Sequence, residues 1–162
     1  MAIAGVTESL LRLTQACLDG STVNQRWSTT GLTPRDMIAP GPWRIGWFLW
    51  KVDPDPGISS TTRPLPPGLA AFPVVLHYLL LVRGKQAGDE RAMLGCCMSV
   101  LAASPVLTGP KLAPVHVWPD GATLQVTLEQ LDTGTLLGIW RSLATPLQLS
   151  VAYTVKGLSL PQ

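Results

Sequence analysis

The sequence predicts an α+β domain: a single mixed or antiparallel sheet of about five strands with three helices packed on it. Two apolar runs carry the first part of that reading: 43–52 (WRIGWFLWKV) and 73–83 (PVVLHYLLLVR). Each is short for a free-standing helix and too apolar for a one-sided strand, the pattern of a covered strand. Residues 147–156 alternate strictly, Leu147, Leu149, Val151, Tyr153 and Val155 against Gln148, Ser150, Ala152, Thr154 and Lys156. Other segments repeat at helical spacing instead, so helices and strands must share one core.

In order, Ile3, Val6, Leu10, Leu13 and Cys17 form a helical stripe, widened by Leu11 and Leu18, with Gly20 as its stop. Residues 21–42 dissolve into Ser, Thr, Gly and Pro, a loop with room for one short edge strand. The first apolar run follows; it sends Trp43 and Trp47 to one face and Trp50 to the other. Residues 53–71 carry Pro54, Pro56, Pro64, Pro66 and Pro67, and read as a long arm. Loops of this length in compact domains are usually functional or disordered. After the second run, Asp89 offers an N-cap to a helix with the stripe Met93, Leu94, Cys97, Met98 and Leu101, which ends before Pro105. Residues 115–118, a Pro119-Asp120-Gly121 turn and 123–131 read as a hairpin, with Leu124, Val126 and Leu128 facing the core. Asp132 or Thr133 caps the last helix, where Leu136, Leu137, Trp140 and Leu143 share a side and Gly134 and Gly138 allow close approach to the sheet.

The chain has 162 residues, the length of one domain spanning 1–162. It is 46% hydrophobic and 14% charged, against about 25% charged in an average soluble domain. That excludes disorder over the whole length. Lys plus Arg is 12 and Asp plus Glu 10, a net +2 that is too weak to act as a footprint for nucleic acid. Low charge with a mean hydropathy of +0.27 points to apolar surface reserved for a protein partner. The charge-free stretches 64–82 and 92–110 are cut by prolines, so neither reads as a spanning helix and no membrane insertion is expected. No basic, solidly apolar leader opens the chain. Cys17 and the vicinal pair Cys96-Cys97 read as buried thiols in a reducing compartment, hence cytoplasmic synthesis.

Catalytic signals are sparse. The chain has no glycine-rich phosphate loop, HExxH, GxSxG or CxxC motif, and no cofactor or metal site is expected. A Cys97–His77 couple is formally possible, but Cys97 lies on an apolar stripe, where thiols are inert. His77 reads better as a satisfied sheet residue. Asp53 and Asp55, in Asp-Pro-Asp-Pro, read as turn formers, and Asp89-Glu90 as first-turn residues favoured by the helix dipole. Six tryptophans remain. Most serve the core; Trp27, with Arg35, Arg44, Arg63 and Pro64, lies in or beside the loops, where Trp and Arg would suit a protein interface.

The order of segments resembles one family. Trp47-Phe48-Leu49-Trp50-Lys51-Val52, a Pro-rich arm with Arg63, and Pro73-Val74-Val75-Leu76-His77-Tyr78-Leu79-Leu80 come first. Met93-Leu94-Gly95, Ser104-Pro105-Val106-Leu107, Leu137-Gly138-Ile139-Trp140-Arg141-Ser142-Leu143 and Leu149-Ser150-Val151-Ala152-Tyr153-Thr154-Val155 follow. Together they resemble the N-terminal domain of cap proteins, the tail terminators of extracellular contractile injection systems such as the antifeeding prophage and the Photorhabdus virulence cassettes. The resemblance implies a tail-terminator-like fold and a structural, non-enzymatic cap. Its partners would be further copies of itself in a ring of six and the sheath and inner-tube proteins of a phage-tail-like particle. The particle would assemble in the cytoplasm and be released outside the cell. An open helical tube is closed only by a differently shaped terminal ring. The alternatives are an adaptor between such a particle and a membrane or other partner, and a small ligand-binding domain.

Overall fold

A computed structural model describes residues 2–19, 28–30, 34–35, 44–56, 71–84, 86–114 and 118–161. Helix α1 (Ala2–Asp19) forms on the predicted stripe, with Val6, Leu10, Leu11 and Cys17 buried. Ser9 and Thr14 are buried on it too, at no loss of hydrogen bonding: their hydroxyls donate back to Gly5 O at 2.7 Å and Leu10 O at 2.9 Å. Ser9 Oγ also accepts the Ala113 N–H at 2.8 Å, which fastens a distant loop to the helix. The expected stop at Gly20 lies outside the described residues.

The strands are β1 (Ser28–Thr30), β2 (Arg44–Pro54), β3 (Ala71–Arg83), β4 (Val106–Thr108), β5 (Thr123–Leu128) and β6 (Ser150–Pro161). They form one sheet in the order β1-β2-β3-β6-β5-β4. Only the short β1 runs parallel to its neighbour, β2; the other pairs are antiparallel. The architecture is the expected α+β one, with six strands among the described residues where about five were predicted. Two lie outside that tally, both on the edges: β1, the short strand for which residues 21–42 left room, and β4, which was not foreseen. β5 pairs with β4; of the predicted hairpin partner 115–118, residues 115–117 lie outside the described residues and Trp118 is not in a strand. Pro105 lies just before β4, and its carbonyl accepts the Val126 N–H at 2.8 Å, so the ladder continues where the helix ends.

Helix α2 (Ala87–Ala103) buries Met93, Leu94, Cys97 and Leu101 as predicted. Its N-cap is Gln86, with no side-chain cap bond, rather than Asp89. Glu90 in the first turn instead accepts the Gly84 N–H at 2.9 Å. With α1 it covers one face of the sheet, and Ile45, Trp47, Val74, Leu76, Tyr78, Leu80, Tyr153 and Val155 meet the two helices in the main core.

Helix α3 (Thr133–Ser142) lies on the other face over a small cluster of Leu81 and Trp140, flanked by Phe48, Leu136 and Leu143. Gly134 and Gly138 are exposed, and a Cβ on Gly138 would meet nothing within 4 Å, so these glycines do not serve close packing. Two predicted inward residues of the alternating segment, Leu147 and Leu149, are 57% and 40% exposed, because β6 begins only at Ser150. Leu128, at the end of β5, is likewise 55% exposed.

Asp132 is the N-cap of α3: its Oδ1 accepts the Thr135 N–H at 2.9 Å. The Thr135 hydroxyl and then its N–H hold the carboxyl below the usual aspartate range. A depressed folded value means that the cap stabilises above the ordinary aspartate range, near 3.9, and loses that contribution as pH falls through the lowered value. Asp132→Ala is expected to lower the urea midpoint at neutral pH. Asp132→Asn should retain most of the neutral-pH stability and lose this part of the acid dependence, measured by urea unfolding at pH 7 and pH 3.

Candidate functional site

Two one-residue irregularities shape the open face of the sheet. Leu49 pairs with Tyr78 but Lys51 pairs with His77, so Trp50 is an extra residue in β2. Before it, Trp47 and Leu49 face the main core; after it, Lys51 and Asp53 fall on the opposite face, beside His77. Regular alternation would have placed Asp53 on the Trp47 side. β6 holds the second irregularity: Leu76 pairs with Val155 and Val74 with Leu158, and the extra residue returns Leu158 to the core.

On this face a shallow depression of about 640 Å³ is lined by Asp53, Pro54, Pro56, Val75, His77, Leu128, Glu129, Thr154 and Lys156. His77 is part of its lining, between two carboxylates. Nε2 lies 3.1 Å from Asp53 Oδ2 and Nδ1 lies 2.8 Å from Glu129 Oε1. Lys51 Nζ is 2.6 Å from the same Asp53 oxygen. The hydrogen bond from Lys51 is the main cause that holds the Asp53 carboxyl below its usual range. The Trp50 ring meets the imidazole edge-on, with centroids 5.6 Å apart. The Glu129 N–H donates to Ala152 O at 2.9 Å, which fixes the carboxylate just past the end of β5.

Chemically, this arrangement ties strands together. Both ring nitrogens of His77 are engaged by carboxylates, so neither is open to a ligand or a nucleophile. Among the described residues no group of three or more His, Cys, Asp or Glu could hold a metal ion. The Cys97–His77 couple fails on geometry, because Cys97 belongs to the α1/α2 core and His77 lies across the sheet from it. Cys17, Cys96 and Cys97 are free thiols, and Cys96 is only half-buried. Burial pushes the Cys17 thiol well up and that of Cys97 up to about 12.

The sequence read His77 as a satisfied sheet residue, and so it is. The same reading missed that Asp53 and Glu129 satisfy it. Asp53 is a strand residue paired with Val75 rather than a turn former, and Asp55 is buried with its N–H donating to Pro73 O at 3.0 Å. Of the residues proposed for a partner, Arg35 is exposed and Arg44 is half-buried at the start of β2, paired with Ser28 and Arg83. Trp27, Arg63 and Pro64 lie outside the described residues, as do Trp43 and His116. The ends of the predicted 53–71 arm are strand residues: Pro54 pairs with Val74 and Ala71 with Pro161.

The fold class defined by this sheet and its helices is that of a tail terminator. A solved sheath/tube terminator of an extracellular contractile injection system, the PVC particle in its extended state, matches with a TM-score of 0.67 at 16% identity. The match covers 100% of this chain and 57% of the terminator chain, so the chain spans little more than half the length of that protein. The Pvc16 N-terminal domain model matches residues 5–161, and the chain belongs to that family. No match was found among the curated proteins.

Proposed function

We propose that this chain is a structural terminator subunit that closes the inner tube and contractile sheath of a phage-tail-like injection particle, as a ring of six copies acting as one domain. The observation that carries the reading is the likeness of the whole fold to a sheath/tube terminator, within a family whose model spans nearly the entire chain. The weak charge and positive mean hydropathy support it, since they suit assembly with protein partners. No helix among the described residues is long and apolar enough to cross a membrane. The partners in this reading are further copies of the chain and the last sheath and tube rings. Contact runs through the arm at 53–71 and through Arg35, Arg44, Arg63, Pro64 and Trp27.

The test is the length distribution of particles, by electron microscopy, from cells with and without the gene. Particles of abnormal length or with unstable sheaths in the deletion support termination; normal, uniform, capped particles refute it. A finer test removes residues 56–67. The shortened chain is expected to stay folded, because the described core lies elsewhere, and to lose binding to particles in a pull-down. Undiminished binding would remove the arm from the contact.

A further inference from the structure

We propose that His77 is a proton-dependent clasp: as an imidazolium it donates to Asp53 and Glu129 at once and locks the ends of β2 and β5 onto β3, at the base of the 57–70 connection. A carboxylate can only accept, and a neutral imidazole carries a single N–H. Two carboxylates, at 3.1 Å on Nε2 and 2.8 Å on Nδ1, are therefore both bonded only when the ring carries two protons. The second oxygen of Glu129 strengthens the case. Among the described residues the buried Oε2 has no hydrogen-bond partner, a position that calls for a positive charge close by.

The charged groups around the ring come from three strands: Lys51 and Asp53 from β2, Glu129 from the end of β5 and Lys156 from β6. Their arrangement decides which contact opens when a proton leaves. Glu129 is the more buried carboxylate and holds the shorter bond, whereas Asp53 is more exposed and keeps Lys51 as a partner at 2.6 Å. The remaining proton stays on Nδ1 toward Glu129, and Asp53 is released. Asp53 is two residues from Asp55, whose N–H closes the root of the β2–β3 connection on Pro73 O at 3.0 Å. Deprotonation of one ring thus loosens the ends of β2 and β3 that flank residues 57–70. The clasp is a property of the chain alone and does not depend on the terminator reading.

The experiment is a pH series on the uniformly ¹⁵N-labelled 162-residue chain. The ring nitrogens of His77 are followed by long-range ¹H–¹⁵N spectra, and the Asp55 amide by its exchange protection factor. On the acid side both ring nitrogens are expected to carry protons. As the ring loses one, the remaining proton should stay on Nδ1, and Asp55 protection should fall roughly tenfold, the scale of one charge-assisted hydrogen bond. Protection at Leu79, mid-strand, should hold. Asp53→Asn should leave the ring titration visible and abolish its coupling to Asp55. A ring that keeps one protonation state over the whole folded range overturns the proposal. So does a ring that titrates with no change at Asp55, or an Asp53→Asn chain in which the coupling persists.

Discussion

Trp47→Ala is expected to destabilise the fold by about 3–5 kcal/mol, read as a lower urea midpoint with an unchanged slope. Trp47 is buried where four elements meet. Its ring lies edge-on to Tyr78 of β3, centroids 6.0 Å apart, and to Tyr153 of β6 at 5.7 Å. Its Nε1–H donates to Thr14 Oγ1 of α1 at 3.4 Å. Alanine would leave a cavity between two tyrosines that both pack on this ring, and would break the tie from sheet to helix. The loss is a large share of the 5–15 kcal/mol that typically separates folded from unfolded chains. Trp47→Phe keeps the aromatic contacts and gives up only the long hydrogen bond and part of the volume, so about 1–2 kcal/mol is expected.

Gly157→Ala should cost on the order of 3 kcal/mol, from two sources that add. Gly157 has φ +95, a conformation that side chains resist, and a Cβ there would lie 2.2 Å from the Thr123 carbonyl oxygen. That oxygen belongs to the first residue of β5, so no side-chain rotation relieves the clash; the strand itself must move. Gly121→Ala is the control. It also has a positive φ, +71, but nothing stands within 4 Å of the new methyl, and only the conformational penalty of about 1–2 kcal/mol remains. Thermal unfolding of the two variants side by side separates strain from collision. Equal losses would mean that β5 yields freely at Thr123.

The elements that the sequence announces are those whose apolar residues keep one period from end to end. The α1 and α2 stripes and the Val74, Leu76, Tyr78, Leu80 face of β3 are of this kind. Periodicity misleads where an apolar residue serves something other than the core. Leu147 and Leu149 continue the rhythm of β6 outside the strand and into solvent. Edge strands are faint for a related reason: β4 is three residues long and buries Leu107 alone.

The cluster at His77 was illegible because a bulge hid it. Counting by twos from Trp47 assigns Asp53 to the core side, and only the extra residue at Trp50 turns it toward the histidine. Glu129 is distant in the chain and comes into place through the pairing of β5 with β6. The signal present in the sequence was chemical: a lone histidine flanked by Leu76 and Tyr78 had to find partners across the strand, and Asp53 and Glu129 are among the few carboxylates in a chain poor in charge.

The unequal strand lengths have a mechanical consequence. β3 and β6 are paired from Ala71–Pro161 to Leu81–Ser150, and β2 and β3 from Arg44–Arg83 to Pro54–Val74, whereas β1 and β4 are three-residue fringes. A tension applied where residues 57–70 join the sheet acts along these long strands. It loads their hydrogen bonds in shear, many at a time, instead of peeling them one by one. Such a sheet is stiff toward a pull from that end and weak toward a sideways tug on its fringes.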